Sequence, residues 1–358
     1  MFVRNIKLTN FRNYSSRSFD FEKNVTVVVG QNGIGKTNII ESIYVLTHGK
    51  SWRTRYDFEL IESTSNTLNL LGEVTKEGKD INLFIGIEKG FSNRSKKVYK
   101  IDDVKKSHSN FIQVLKSVLF SPHDLEIILG SPSTRRRFLN EVLSQVDKNY
   151  SRQVLELKKI VTARNSILKR INEGVSDYSE LEYWNKKLVE VSGQISSKRN
   201  KLIEFINTDL SNTFSKVSNT QATCVLKYLD SKATYKRLQK YKLAEIASKR
   251  TLIGAQKDDF IILFSKNGYK DMDSKYYASR GEQRTLVFNL KLATLSFLQS
   301  NSINKVVLLL DDIYSELDEF HREAISEFFD DNQVIITTAE KSLVPESLLK
   351  VGKVIELT

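Results

Sequence analysis

Val25-Thr-Val-Val-Val-Gly-Gln-Asn-Gly-Ile-Gly-Lys-Thr37 is the stretch around which this 358-residue chain is organised. An apolar, β-branched run leads into a glycine-rich turn. Lys36-Thr37 then opens a helical pattern with apolar residues at Ile39, Ile40, Ile43 and Leu46. Gly30, Gly35, Lys36 and Thr37 fill the template G-x-x-x-x-G-K-[ST]. The chemistry requires these residue types. Glycines allow a tight turn that aims successive backbone N–H groups at phosphate oxygens. The helix N-terminus adds partial positive charge. Lys36 has the reach for β- and γ-phosphates, and the Thr37 hydroxyl is a hard oxygen ligand for Mg²⁺. The competing reading is a plain glycine turn. The strand before it and the apolar stripe after it favour a nucleotide cradle made of Gly30, Gln31, Asn32, Gly33, Ile34, Gly35, Lys36 and Thr37.

A second motif lies near the other end of the chain. In Lys305-Val-Val-Leu-Leu-Leu-Asp311-Asp312, five apolar residues run into two carboxylates. That pattern predicts a buried parallel strand whose carboxyl edge presents acids, the edge where ligands sit in open α/β sheets. Asp311 is placed to hold Mg²⁺, directly or through water, and Asp312 to orient or deprotonate the attacking water. Lys36, Asp311 and Asp312 are therefore the candidate catalytic set, and Thr37 with Asp311 the candidate metal ligands. Another buried strand is expected at 334–338, ending in the hydroxyls of Thr337 and Thr338. Lys36 and Asp311 stand 275 positions apart. A compact mononucleotide fold needs far fewer, so the economical architecture is one α/β ATPase head split by an insertion.

The intervening chain supports that division into 1–125 (head), 126–250 (helical lobe) and 251–358 (head again). Residues 2–8 and 18–29 read as strands. Residues 67–104 alternate apolar and polar between Glu77-Gly78 and Lys89-Gly90, which predicts an antiparallel meander. From 151 to 208 the period becomes helical. Val154, Leu157, Val161, Arg164, Leu168 and Ile171 form one seam; Leu181, Trp184, Leu188, Val191, Ile195, Lys198, Leu202 and Phe205 form a second. Two helices joined near Gly174 predict a short antiparallel coiled-coil arm, with Arg164 and Lys198 interrupting its seam.

The net charge of +12 is concentrated in this lobe: residues 135–250 hold 24 Lys/Arg against 12 Asp/Glu, and the remainder balances. A basic insertion between neutral halves favours a polyanion such as DNA over a merely solvated surface. Three local stretches stay open between a phosphate contact and an ordinary surface. They are Lys50-Ser51-Trp52-Arg53-Thr54-Arg55, Arg135-Arg136-Arg137 at a helix start, and 232–242, where Tyr235 and Tyr241 interleave with basic residues. The single cysteine, Cys224, excludes an intramolecular disulfide and a cysteine-rich zinc site. No apolar run has transmembrane length and no signal peptide is evident, so a cytoplasmic protein without membrane association is expected.

Segments 10–14, 30–37, 49–54, 120–125, 130–139, 279–283 and 308–318 together resemble the ABC-type ATPases of the SMC group, and within it the RecF family. The resemblance covers essentially the whole chain. It implies a weak ATPase, with ATP and Mg²⁺ as cofactors, that acts on duplex and single-strand DNA in recombinational repair and replication. It also implies partners RecO and RecR and an ATP-dependent homodimer. Ser279-Arg-Gly-Glu-Gln283 resembles the signature loop of these ATPases, so Ser279, Gly281 and Gln283 are implied to meet ATP held by the opposite subunit. Arg12 is implied near the phosphates and Asp318 near the dimer seam. The chain departs from the RecF pattern at Gly254-Ala-Gln-Lys-Asp258-Asp259, where Ala255, Gln256 and Lys257 replace Pro-His-Arg. A switch histidine is missing, its region holding Thr337 or Thr338, and no glutamine falls in 120–125. A transporter ATPase, another SMC-like repair ATPase and a structural DNA-binding protein are the alternatives. The basic helical insertion, the lack of a Cys-x-x-Cys hook and the intact Lys36, Thr37, Asp311 and Asp312 argue against them in turn.

Overall fold

The computed structural model describes every residue except 91–94, 219–221, 267, 303–304, 316–321, 323–324, 327–328 and 330–331, and the side chains of 211–218. The chain forms two compact units, Met1–Asp124 with Thr294–Thr358, and Leu125–Ala293.

The first unit contains two sheets. A parallel sheet has the order Lys353–Glu356, Val25–Val29, Gln333–Thr338, Val307–Asp311, Ser117–Phe120. Val307–Asp311 and Gln333–Thr338 are buried along their whole lengths, which is why they read as continuous apolar runs rather than alternating ones. An antiparallel sheet has the order Tyr14–Asp20, Phe2–Phe11, Thr67–Lys76, Lys79–Lys89, Ser95–Ile101, Val104–Lys106. Its Glu77-Gly78 turn has φ of 51° and 77°, the left-handed pair that a two-residue hairpin needs. The helix Lys36–His48 touches strands of both sheets, and eleven of its thirteen residues are buried. It is consequently apolar on more than one face. Ile39, Ile40, Ile43, Val45 and Leu46 share one core with Ile6 and Leu8 on one side and Val28, Leu309 and Ile335 on the other. Gln333 links the sheets, its amide receiving Val3 N–H at 2.8 Å and donating to Val3 O at 2.7 Å and Glu22 O at 2.8 Å.

The second unit packs the helices Pro132–Val146, Lys148–Asn172, Glu182–Ser218 and Tyr235–Ser248 with a three-stranded antiparallel sheet, Tyr269–Asp273, Asp259–Lys266, Thr223–Leu229. Residues 251–293, expected in the C-terminal half of the head, lie in this unit instead. The reason is the ladder between Asp259–Lys266 and Thr223–Leu229, a strand hidden in a polar stretch where Cys224 and Leu226 are buried and Tyr228 is half-buried on the same face.

The two long helices pack together, but the seam differs from the expected one. Ile160 and Ile167 are buried while Val154 and Val161 are only half-buried. Arg164 does not interrupt the interior: it is wholly buried, bonding Glu245 at 2.9 Å, Asn185 at 2.8 and 3.0 Å, and Thr251 at 2.7 Å. Lys198 turns aside to Asp147 at 2.6 Å.

Candidate nucleotide site

The phosphate-loop segment connects Val25–Val29 to Lys36–His48. Gly33 and Gly35 have φ of +87° and +119°, a region that a side chain with a Cβ rarely enters. At Gly35 a Cβ would also stand 2.6 Å from the Tyr14 hydroxyl and 2.7 Å from Asn13 Nδ2. Asn13 donates to Ile34 O at 3.0 Å and accepts from Asn38 Nδ2 at 2.8 Å. Asn13, in the turn, and Tyr14, at the start of the next strand, therefore brace the loop. Gln31, Asn32 and Gly33 form its exposed rim.

Lys36 is buried, with Nζ donating to Gly30 O at 2.7 Å and Gln31 O at 3.0 Å. Burial lowers its pKa from the ordinary lysine value, and the charges of Asp312 and Asp311 oppose that shift. Thr37 Oγ1 donates to Asp311 Oδ1 at 2.9 Å, and Thr337 Oγ1 donates to the same oxygen at 2.9 Å. Burial pushes the Asp311 carboxyl above the usual carboxylate range. Those two hydroxyls and the Arg53 charge hold it down, while Asp312 adds to the upward push. Asp312 is partly exposed at φ 52°, its N–H fixed by Thr337 Oγ1 and Thr337 O at 3.1 Å each. The structure thus brings Lys36, Thr37, Asp311 and Asp312 to one edge of the parallel sheet. Thr337, which sequence reasoning left without a role, is the residue that joins the two carboxylate positions. A hydroxyl and a carboxylate oxygen in contact, both hard donors, suit Mg²⁺. No group of three or more His, Cys, Asp or Glu able to hold a metal occurs among the described residues.

Arg12 lies beside this site but is engaged: Nη2 and Nε bond the buried Glu41 at 2.7 and 2.9 Å. The Lys50–Arg53 stretch folds onto the same carboxylate through Ser51 and Arg53, and Trp52 is buried. Within this stretch the aromatic Trp52 and Ser51 turn inward, while Arg53 and Arg55 remain at the surface, so both readings of the basic residues stay open.

In the other unit, Ser279 and Gly281 are exposed at the start of the helix Arg280–Ser300. Ser279 and Glu282 form a reciprocal cap: Ser279 N–H donates to Glu282 Oε2 at 2.8 Å, and Glu282 N–H to Ser279 Oγ at 3.3 Å. Gln283 does not present its side chain outward; it is buried and donates to Ser274 O at 3.0 Å. In the single chain the amide named by the resemblance for ATP of another subunit is thus turned inward. Arg135 is likewise internal, bonding Asp259 at 2.6 and 2.9 Å and Gly130 O at 3.0 Å. The acidic partner that offsets an arginine at this helix start is thus in the same chain. Asp258, which had no role from the sequence, is wholly buried and accepts from Arg199 at 3.0 Å, Ser196 at 2.8 Å and Ser231 N–H at 2.8 Å. Asp318 lies outside the described residues.

No helix among the described residues is long and apolar enough to cross a membrane. Residues 2–356 match the family described as RecF/RecN/SMC N terminal domain. A DNA replication and repair protein RecF from Thermoanaerobacter sp. (strain X514) is 34% identical, the alignment covering 98% of each chain. The solved structure of a recombination mediator protein RecF-ATP in the RecFOR pathway is similar at 32% identity and a TM-score of 0.87, covering 96% of this chain and 93% of that one. An Smc head domain from Pyrococcus furiosus, 16% identical with a TM-score of 0.55 over 99% of this chain and 93% of that one, shares the fold. With a split α/β head carrying the phosphate loop at one end and Asp311-Asp312 at the other, and with relatives that match end to end, the chain belongs to the RecF family of the SMC/ABC-type ATPases.

Proposed function

We propose that this protein is a slow ATPase in which ATP acts as a switch for binding DNA in recombinational repair and replication. The observation that carries this reading is the 2.9 Å contact between Thr37 Oγ1 and Asp311 Oδ1 at the carboxyl edge of the parallel sheet. Lys36 neutralises the β- and γ-phosphates, and Gly30 to Gly35 supply backbone N–H groups around them. Thr37 and Asp311 hold Mg²⁺, which supplies charge neutralisation on the phosphates when bound. Asp312 orients the attacking water and accepts its proton.

Ser279 and Gly281, exposed at a capped helix start, meet the γ-phosphate bound by a second copy, so two ATP molecules close a homodimer. Duplex DNA next to single strands is the substrate, RecO and RecR are partners, and recombinase loading at gaps is the outcome. The names of the RecF relatives and the basic residues of 135–250 support this part of the reading. Lys36→Met and Asp312→Asn should each abolish ATP turnover, and Ser279→Arg should block ATP-dependent dimerisation in light scattering. Undiminished turnover in the first two variants would remove the site assignment.

A further inference from the structure

Glu41 sits on the helix that follows the phosphate loop, and its side chain is wholly buried. Two guanidinium groups converge on it: Arg12 through Nη2 and Nε, and Arg53 through Nη1 at 3.1 Å. Ser51 Oγ donates to Oε1 as a fourth bond. We propose that Glu41 is a positioning residue that fixes the guanidinium groups of Arg12 and Arg53 toward the nucleotide phosphates. This rests on the ATP reading above and adds to it the element that sets two cations in place.

Three features carry the inference. Glu41 is the fully buried member, and its single carboxylate is shared by two guanidinium groups that both reach the surface. Neither arginine is fully enclosed: the Arg12 side chain keeps 20% of its surface exposed and that of Arg53 keeps 34%, so each retains an outward edge for an anion. Arg53 is also wired to the loop. Its Nη1 donates to Asn38 Oδ1 at 2.8 Å, Asn38 Nδ2 to Asn13 Oδ1 at 2.8 Å, and Asn13 Nδ2 to Ile34 O at 3.0 Å. The Arg53 charge reaches Asp311, where it favours the ionised carboxylate. Arg12 is held at φ 56°, which a non-glycine residue keeps only where its surroundings fix it. Its N–H bonds Leu60 O at 2.9 Å and its Nη1 bonds Glu59 O at 2.9 Å.

The test uses the full chain with Glu41→Gln, Glu41→Asp, Arg53→Gln and the double variant Glu41→Gln/Arg53→Gln. KM and kcat for ATP and the melting temperature are measured for each. Glu41→Gln should raise KM at least tenfold, and Glu41→Asp, which keeps the charge, should recover most of that loss. Arg53→Gln, at a partly exposed position, should raise KM without lowering the melting temperature, and the double variant should be no worse than Glu41→Gln alone. Lowered melting temperature with unchanged KM across the set would overturn the proposal while leaving Lys36-dependent hydrolysis intact. If Glu41→Gln fails to fold, Arg53→Gln decides by itself: an unchanged KM overturns the proposal. Absence of Lys36-dependent hydrolysis in the unmodified protein would instead overturn the ATP reading, and this proposal with it.

Discussion

Thr37 and Asp311 are hydrogen-bonded at 2.9 Å although 274 positions separate them. The same Asp311 oxygen accepts from Thr337. A carboxylate desolvated in this way is arranged for a cation before any cation binds. Asparagine at 311 keeps an oxygen for both threonines and removes the buried charge. Asp311→Asn should therefore raise the melting temperature of the nucleotide-free protein by about 2–4 °C, while Mg²⁺-dependent hydrolysis falls at least about a hundredfold. Because the folded-state pKa of Asp311 is raised, the native state favours its protonated form. That favourable contribution is fully present below the ordinary carboxylate pKa and is lost as pH rises through the raised value. The stability gap between variant and parent should accordingly open as pH rises and close on acidification. Thermal scans across pH check both parts.

kcat/KM for ATP, which reports the unliganded enzyme, should follow a narrowed pH profile. Asp311 must be ionised to serve Mg²⁺, so its raised pKa moves the acid limb upward. Lys36 must stay protonated to neutralise phosphate, and its lowered pKa moves the alkaline limb downward. Asp311→Asn and Lys36→Met remove turnover itself, so the limbs are read in the parent. An acid limb at the ordinary carboxylate position would contradict the burial effect at Asp311.

Two loop glycines should respond differently to alanine. Gly35 combines φ +119° with a Cβ position 2.6 Å from the Tyr14 hydroxyl, whereas nothing lies within 4 Å of the Gly33 Cβ position at φ +87°. Gly35→Ala should lose at least about 2 kcal/mol and most turnover, and Gly33→Ala about 1 kcal/mol from backbone strain alone. Urea titrations that give equal losses would show that the Asn13-Tyr14 brace is irrelevant.

Arg164 and Glu245 form an ion pair with both side chains fully buried. Truncating one partner strands the other charge. Arg164→Ala should therefore cost about 3–5 kcal/mol by urea titration. Glu245→Gln should cost less, because an amide still accepts from Leu252 N–H, now bonded to Glu245 at 2.8 Å. A loss under about 1 kcal/mol for Arg164→Ala would mean that the pair adds little to stability.

DNA binding should weaken steeply with salt. Lys236 and Lys240 are exposed on the helix Tyr235–Ser248. Replacing both with glutamate should reduce the slope of log affinity against log salt by about 2 if each meets one phosphate. Fluorescence anisotropy at several salt concentrations reads that slope. An unchanged slope would assign this helix face to solvent.

The elements that meet at Thr37 and Asp311 were legible in the chain because they follow from backbone geometry. Gly30 to Thr37 must turn, cradle and cap, and a strand buried on both faces leaves an unmistakable apolar run ending at Asp311. Arg164, Arg199, Glu41 and Asp258 were not legible. A lone charged residue on an apolar helix looks like a break in its packing face until a partner arrives from elsewhere, as Glu245 does for Arg164 and Arg12 for Glu41. Thr223–Leu229 was hidden for a related reason: as an edge strand it buries few side chains. Gln283 followed motif likeness, which carries no information about which way a side chain turns.

Val25–Val29 lies between Gln333–Thr338 and Lys353–Glu356 in its sheet, so neither neighbour exists when it is made. More than 300 residues must still be translated before the first of them emerges. At roughly 5–20 residues per second, that is a wait of about 15–60 s for an apolar segment with no hydrogen-bonding partner in its own sheet. The strand that leads into the phosphate loop is therefore paired only after residue 333 has been made. A nascent chain halted before residue 333 would carry the complete phosphate loop on a strand without either sheet neighbour.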